Sequence, residues 1–250
     1  MSAVEPRAYD RVVLAFSGGK DSLAALLHLL DLGVVPARIE LHHHEVDGGG
    51  GVFMDWPITP AYVAALPAHF GLPLYRSWRE GGFRREMDRN GVATAPVLYE
   101  TPEGRLDRAR YRPFEPHRTR CARRAVDHWR PLLTWSQAQV WDRIGADAIR
   151  PHPAYSLGWS RLSCRCCIFG SPAQWATIRA LYPAVFAEIA ARETGSGRTI
   201  QRAASVQELA DRGSPYSAAL ADPGLAVLAA RAATRWPAPG PALNPVRPTS

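Results

Sequence analysis

Lysine is all but missing. Of the 30 basic residues in this 250-residue chain one alone, Lys20, is a lysine, and every other is arginine. Cysteine is scarce as well: the four fall at Cys121 and in the cluster Cys164, Cys166 and Cys167, and none follows. No apolar run approaches the ~18 residues of a membrane-spanning helix, so no membrane partner is expected. The start, Met1 to Arg7, has no apolar segment of a secretory leader. A cytoplasmic protein without disulfides is therefore the expectation. The formal charge of +7 implies an anionic partner, a nucleotide or a nucleic acid. Abundant arginine and alanine with little lysine also suits a GC-rich coding sequence, so the arginines alone give nucleic-acid binding slight support.

The single lysine lies in Ser17-Gly18-Gly19-Lys20-Asp21-Ser22, directly after the apolar run Val12 to Phe16 and before Leu23 to Leu30. An ammonium is a compact point charge that enters a phosphate cradle where a planar guanidinium is too wide. Strand, glycine turn and helix N-terminus together make an anion site from backbone N–H groups and the helix dipole. The pattern is neither G-x-x-x-x-G-K-[ST] nor G-x-G-x-x-G.

Around this loop the periodicity predicts strands at Arg11–Phe16, Ile39–His44 and Leu74–Trp78, with helices at Asp21–Leu32, Pro60–Phe70 and Glu80–Met87. Such alternation predicts an α/β fold with a doubly wound parallel sheet and ligands at the strands' carboxyl ends. Asn90–Pro116 reads as a long basic loop, and helices are expected from about Arg120 through Trp129 and over Ser136–Ile144. Ser171-Pro172 opens a helix to about Arg192, and Ser205-Val206-Gln207-Glu208 is a capping box stopped by Gly213. The division is 8–170 for the α/β domain, 171–235 for a C-terminal helical extension and 236–250 for a disordered, proline-rich tail.

The hexapeptide after a strand resembles the pyrophosphate loop of the adenine nucleotide alpha-hydrolase (ATP pyrophosphatase) superfamily. Two further segments narrow the resemblance. Pro131-Leu132 with Trp135-Ser136, Val140-Trp141 and Ile144 is similar to a segment of phosphoadenosine phosphosulfate (PAPS) reductase-like proteins. His152-Pro153, Tyr155, Gly158 and Arg161, followed by the cysteine cluster, is similar to the next. The resemblance implies a Rossmann-like fold over about Arg11–Gly170. It implies that Ser17, Gly18, Gly19, Lys20, Asp21 and Ser22 bind ATP, with Lys20, Asp21 and Ser22 acting in its cleavage. Arg161 and His152 are the expected substrate-binding residues, a phosphate or sulfate being their target.

On a strand His42 and His44 share one face and His43 the other. His43 and His44 are expected to border the nucleotide pocket, and Asp47 is a turn-former or a Mg²⁺ contact. Cys164 and Cys167 have chelating C-x-x-C spacing, which in a reducing compartment favours metal. Some relatives carry a four-cysteine [4Fe–4S] site. Cys121, Cys164 and Cys167 are then the natural ligands and Cys166 the doubtful fourth, either a ligand or a sulfur-carrying thiol; zinc is the alternative metal. The resemblance also bears on what is lacking. Sulfonucleotide reductases attack sulfur with a C-terminal cysteine, and this chain has none after Cys167.

The expected function is ATP-dependent, Mg²⁺-assisted adenylation of an acceptor with release of pyrophosphate, serving sulfur transfer onto a nucleic acid, nucleotide or metabolite. A sulfur-donor protein and a homodimer or larger complex are the expected partners. The alternatives are an adenylyltransferase that stops at the activated product and a non-catalytic nucleotide- or nucleic-acid-binding subunit.

Overall fold

The computed structural model describes residues 4–49, 51–104, 106–109, 127–162, 164–233 and 235–236. Cys121, the expected helix up to residue 126 and the tail beyond Trp236 lie outside them; residues 127–130 are not helical. The chain runs β1 (Val12–Ala15), α1 (Lys20–Asp31), β2 (Ile39–Glu45), α2 (Thr59–Phe70), β3 (Leu74–Arg79), α3 (Gly82–Met87), β4 (Val97–Glu100) and β5 (Leu106–Ala109). It continues as α4 (Gln137–Ala146), α5 (Pro153–Ser156), α6 (Pro172–Leu181), α7 (Pro183–Ser196), α8 (Val206–Arg212), α9 (Ser217–Ala221) and α10 (Pro223–Ala229).

The α/β expectation holds, but the sheet is mixed rather than wholly parallel. Its order is β1-β2-β3-β4-β5, parallel through β3 and antiparallel over the last two pairs. The β4–β5 hairpin occupies what reads in the sequence as a featureless basic loop. Its two strands are four residues each, too short to show a period against their polar neighbours. Because β1, β2 and β3 follow one another in space, right-handed crossovers put α1 and α2 on the same face. Burial agrees. Ile39, Leu41 and His43 are buried, whereas His42 and His44, on the opposite face, are exposed.

Leu23, Leu26, Leu27 and Leu29 recur at helical spacing, so α1 presents one continuous apolar stripe to the sheet and is anchored there. The helix expected from Ser171 to Arg192 is in fact two. Pro183 has no N–H to give and its ring clashes with the preceding turn, so the chain breaks at Tyr182 and restarts as α7. The capping box at Ser205 forms as the sequence suggests, and a second one, not read from the sequence, forms at Ser136. A single apolar cluster includes Leu26 and Leu41 from the α/β part and Trp175 and Ile189 from the helical extension. Among the described residues no helix is long and apolar enough to cross a membrane.

Candidate functional site

The turn after β1 is built by glycine. Gly18 has φ +78°, and a Cβ there would stand 2.8 Å from Val63 Cγ2 on α2. Only glycine combines that backbone with that closeness. Gly19 then caps α1 without any capping side chain. The N–H groups of Asp21 and Ser22, in the first turn of the helix, have no hydrogen-bond partner among the described residues. A 12-residue helix thus ends in open donors on the positive side of its dipole, the physical requirement for holding phosphate oxygens.

Other groups of the loop are satisfied within it. Gly19 N–H donates to Ser17 Oγ at 3.2 Å, Ser22 Oγ donates to the Gly19 carbonyl at 3.0 Å, and the two hydroxyl oxygens are 3.2 Å apart. Lys20 is not the exposed loop charge that the sequence suggests. It is 5 % exposed, and its Nζ donates to both carboxylate oxygens of Asp21, at 2.9 and 2.8 Å. The stem is sealed beneath the turn while the Asp21 carboxylate, 67 % exposed, faces solvent. The ammonium is therefore held at the loop by a partner that water already screens.

The residue that ties the site together is Tyr155. Its hydroxyl oxygen accepts the Lys20 N–H at 2.8 Å and the Leu162 N–H at 3.1 Å. Residues 135 positions apart in the chain are thereby joined. Trp141 of α4 meets the Tyr155 ring edge-on at 4.9 Å. The three segments singled out in the sequence therefore converge on one point, although Tyr155 carries no functional assignment from sequence reasoning. The signal was present: a lone tyrosine inside an ordered motif, between residues that reach other elements. Burial pushes the Tyr155 phenol up to about 12, so it serves as a neutral acceptor.

His43 lies behind the loop, and its Nδ1 is 2.9 Å from the Phe16 carbonyl at the end of β1. Burial lowers its pKa, keeping the imidazole neutral. It orients the entry to the loop rather than lining an open pocket. His44 projects to the other face, with Nδ1 3.0 Å from Ser77 Oγ, so the structure does not bring it to the loop. His152 is another correction. It is wholly buried, caps α5 by accepting the Ala154 N–H at 3.1 Å, and stands edge-on to Trp56 and Tyr62. Burial drives its pKa down to about 3, and no substrate reaches it. Arg161, in contrast, is exposed and borders a cavity of about 90 Å³ with Cys167, Ser171 and Tyr216. Asp47 is a turn-former: its carboxylate accepts the N–H groups of Phe53, Met54 and Asp55.

The cysteines divide. Cys166 is 0 % exposed within the apolar core, whereas Cys164 and Cys167 are half-buried; burial raises the thiols of both Cys166 and Cys164. Cys164 and Cys167 are near enough to interact electrostatically, with the Asp55 carboxylate close to the first. These two fit a chelating pair. Among the described residues no group of three or more His, Cys, Asp or Glu is gathered for a metal ion, and Cys121 lies outside them. No family model, curated protein or solved structure matches the chain.

Proposed function

We propose that the chain cleaves ATP between its α- and β-phosphates, adenylating an acceptor and releasing pyrophosphate, in the manner of the Rossmann-like adenine nucleotide alpha-hydrolases it resembles. The observation that carries the reading is the uncapped start of α1, with two open N–H donors beside the only lysine. Tyr155 holds this turn in place from a second motif. An acceptor oxygen attacks the α-phosphorus and the bond to the bridging oxygen breaks. The electron pair leaves with pyrophosphate, whose growing charge meets Lys20, the helix N-terminus and the Ser17 and Ser22 hydroxyls. Asp21, the exposed carboxylate of the loop, is the residue that would hold the Mg²⁺ carried by ATP. Arg161, exposed next to the Tyr155 segment, is the residue for an anionic acceptor. A sulfide-level nucleophile from a sulfur donor then attacks the activated carbon, forming the C–S bond as the C–O bond breaks and AMP leaves with the electron pair. A four-cysteine cluster would draw on Cys121, Cys164, Cys167 and Cys166, the only cysteines of the chain, and no step here runs through it.

A second reading, adenylation that stops at the activated product, is favoured by the sealing of Cys166 in the core. Cys164→Ala/Cys167→Ala separates the two: AMP transfer that survives in full while thiolation is lost supports the first, and no thiolation in either protein supports the second. The reading as a whole is tested by following AMP and pyrophosphate release from ATP and Mg²⁺ against a panel of nucleic-acid, nucleotide and metabolite acceptors.

A further inference from the structure

A cavity lies elsewhere among the described residues. It measures about 770 Å³, within the range of small-molecule sites, and shares no residue with the Ser17–Ser22 loop. Its walls come from α3 and the turn after it, from the C-terminal end of α7, and from the strand of chain that follows. The lining is mixed in an ordered way. Phe83, Met87, Ile168 and Ile200 supply apolar surface, whereas Asn90 and Arg198 supply polar groups.

The charges explain what this cavity is ready to take. Asp88 and Arg192 also line it and are paired with each other, Arg192 reaching Asp88 at 2.5 and 2.7 Å and Glu188 at 3.5 Å, while Arg84 pairs with Glu188 outside the lining. Two arginines and two carboxylates neutralise one another there. Arg198 is left out of that network: its guanidinium has no ion pair or hydrogen-bond partner among the described residues. Asn90 sits at φ 36°, in the left-handed region, and its carboxamide is equally uncommitted. Asparagine tolerates that conformation better than most residues. Gly195 and Ser196, in the last turn of α7 where helix carbonyls lack intrahelical partners, belong to the same wall.

We propose that this cavity binds a nucleoside monophosphate unit, at a site separate from the loop. An apolar floor with one aromatic ring suits a planar base. A carboxamide offers one donor and one acceptor edge, which matches the paired donor and acceptor of a heterocyclic base. A free guanidinium fork matches phosphate oxygens. Carbonyls at the end of α7 can accept ribose hydroxyls. The proposal does not depend on the loop's chemistry, and a protein with a silent loop still shows it.

The test is isothermal titration of the full chain carrying Lys20→Met with AMP, CMP, GMP and UMP, and with adenosine and inorganic phosphate as partial ligands. The expected result is saturable 1:1 binding of at least one nucleotide, about tenfold weaker after Arg198→Gln through loss of the phosphate fork. Binding is expected to be abolished by Ile200→Trp, which fills the floor, and to be weaker for phosphate or adenosine alone. Absence of saturable binding for all four nucleotides overturns the proposal. So does binding unchanged in both variants, or inorganic phosphate binding as tightly as the nucleotides, which would reduce the site to a charge.

Discussion

Lys20 shows why a buried cation can serve a phosphate site. Its ammonium is fixed by Asp21 at one end of a sealed stem, so little freedom remains to be lost when an anion arrives. Lys20→Met keeps the stem and deletes the charge. Pyrophosphate release is expected to fall by roughly a hundredfold or more, as for loss of a preorganised electrostatic group, while the melting temperature stays close to wild type. Tyr155→Phe removes one oxygen and orphans two N–H donors, one of them in the loop. It is expected to cost about 1–3 kcal/mol of stability and to weaken ATP binding, measured by denaturant unfolding and titration side by side. His152 supplies the pH signature. Its folded pKa, about 3, lies below the usual 6.5, so the unfolded chain takes up the proton first. Stability is therefore full above pH 6.5 and falls as pH drops towards 3, by about 2 kcal/mol between pH 6.5 and 5 from this residue. His152→Asn keeps a capping side chain, and its unfolding free energy should decline less steeply over that window.

At the scale of elements, the proposed role of the loop rests on α1 being anchored on one side and open at its end. Leucines fix the helix against the sheet, and Gly18 lets the turn pass under α2. Gly18→Ala imposes about 1–2 kcal/mol of left-handed backbone cost together with the contact on Val63. Thermal unfolding and nucleotide titration should therefore both register it. The strong periods were legible in the sequence: β1, α1, β2, α2 and β3 lie within a residue or two of their expected bounds, and so do α4 and α8. What the sequence hid was of two kinds. The β4–β5 hairpin is too short to have a period of its own, and Pro183 was passed over inside a run of good helix formers. Of the site, Gly18 could be read directly because the turn's positive φ demands it, and Lys20 because it is the single lysine of the chain. The sealing of His152 could not, and Tyr155 is legible only as a member of a motif and not as a link, since both depend on what packs from 90 or more positions away.

For the whole molecule, one apolar cluster underlies both the α/β part and the helical extension, so the loop, the cysteine segment and the cavity beside α7 share a continuous support. The segment 164–170 sits between the Arg161 cavity and the cavity beside α7: Cys167 lines the first and Ile168 the second. That placement, rather than the cysteine count, makes the segment a candidate for chemistry. The most direct test of the account is single-turnover analysis of [α-³²P]ATP and, in parallel, [γ-³²P]ATP with Mg²⁺ and the acceptor panel, comparing the natural chain with Lys20→Met. The account predicts AMP, free or on an acceptor, in equal amount to pyrophosphate, from the natural chain alone. Formation of ADP and inorganic phosphate instead, or equal pyrophosphate release from both proteins, would contradict it.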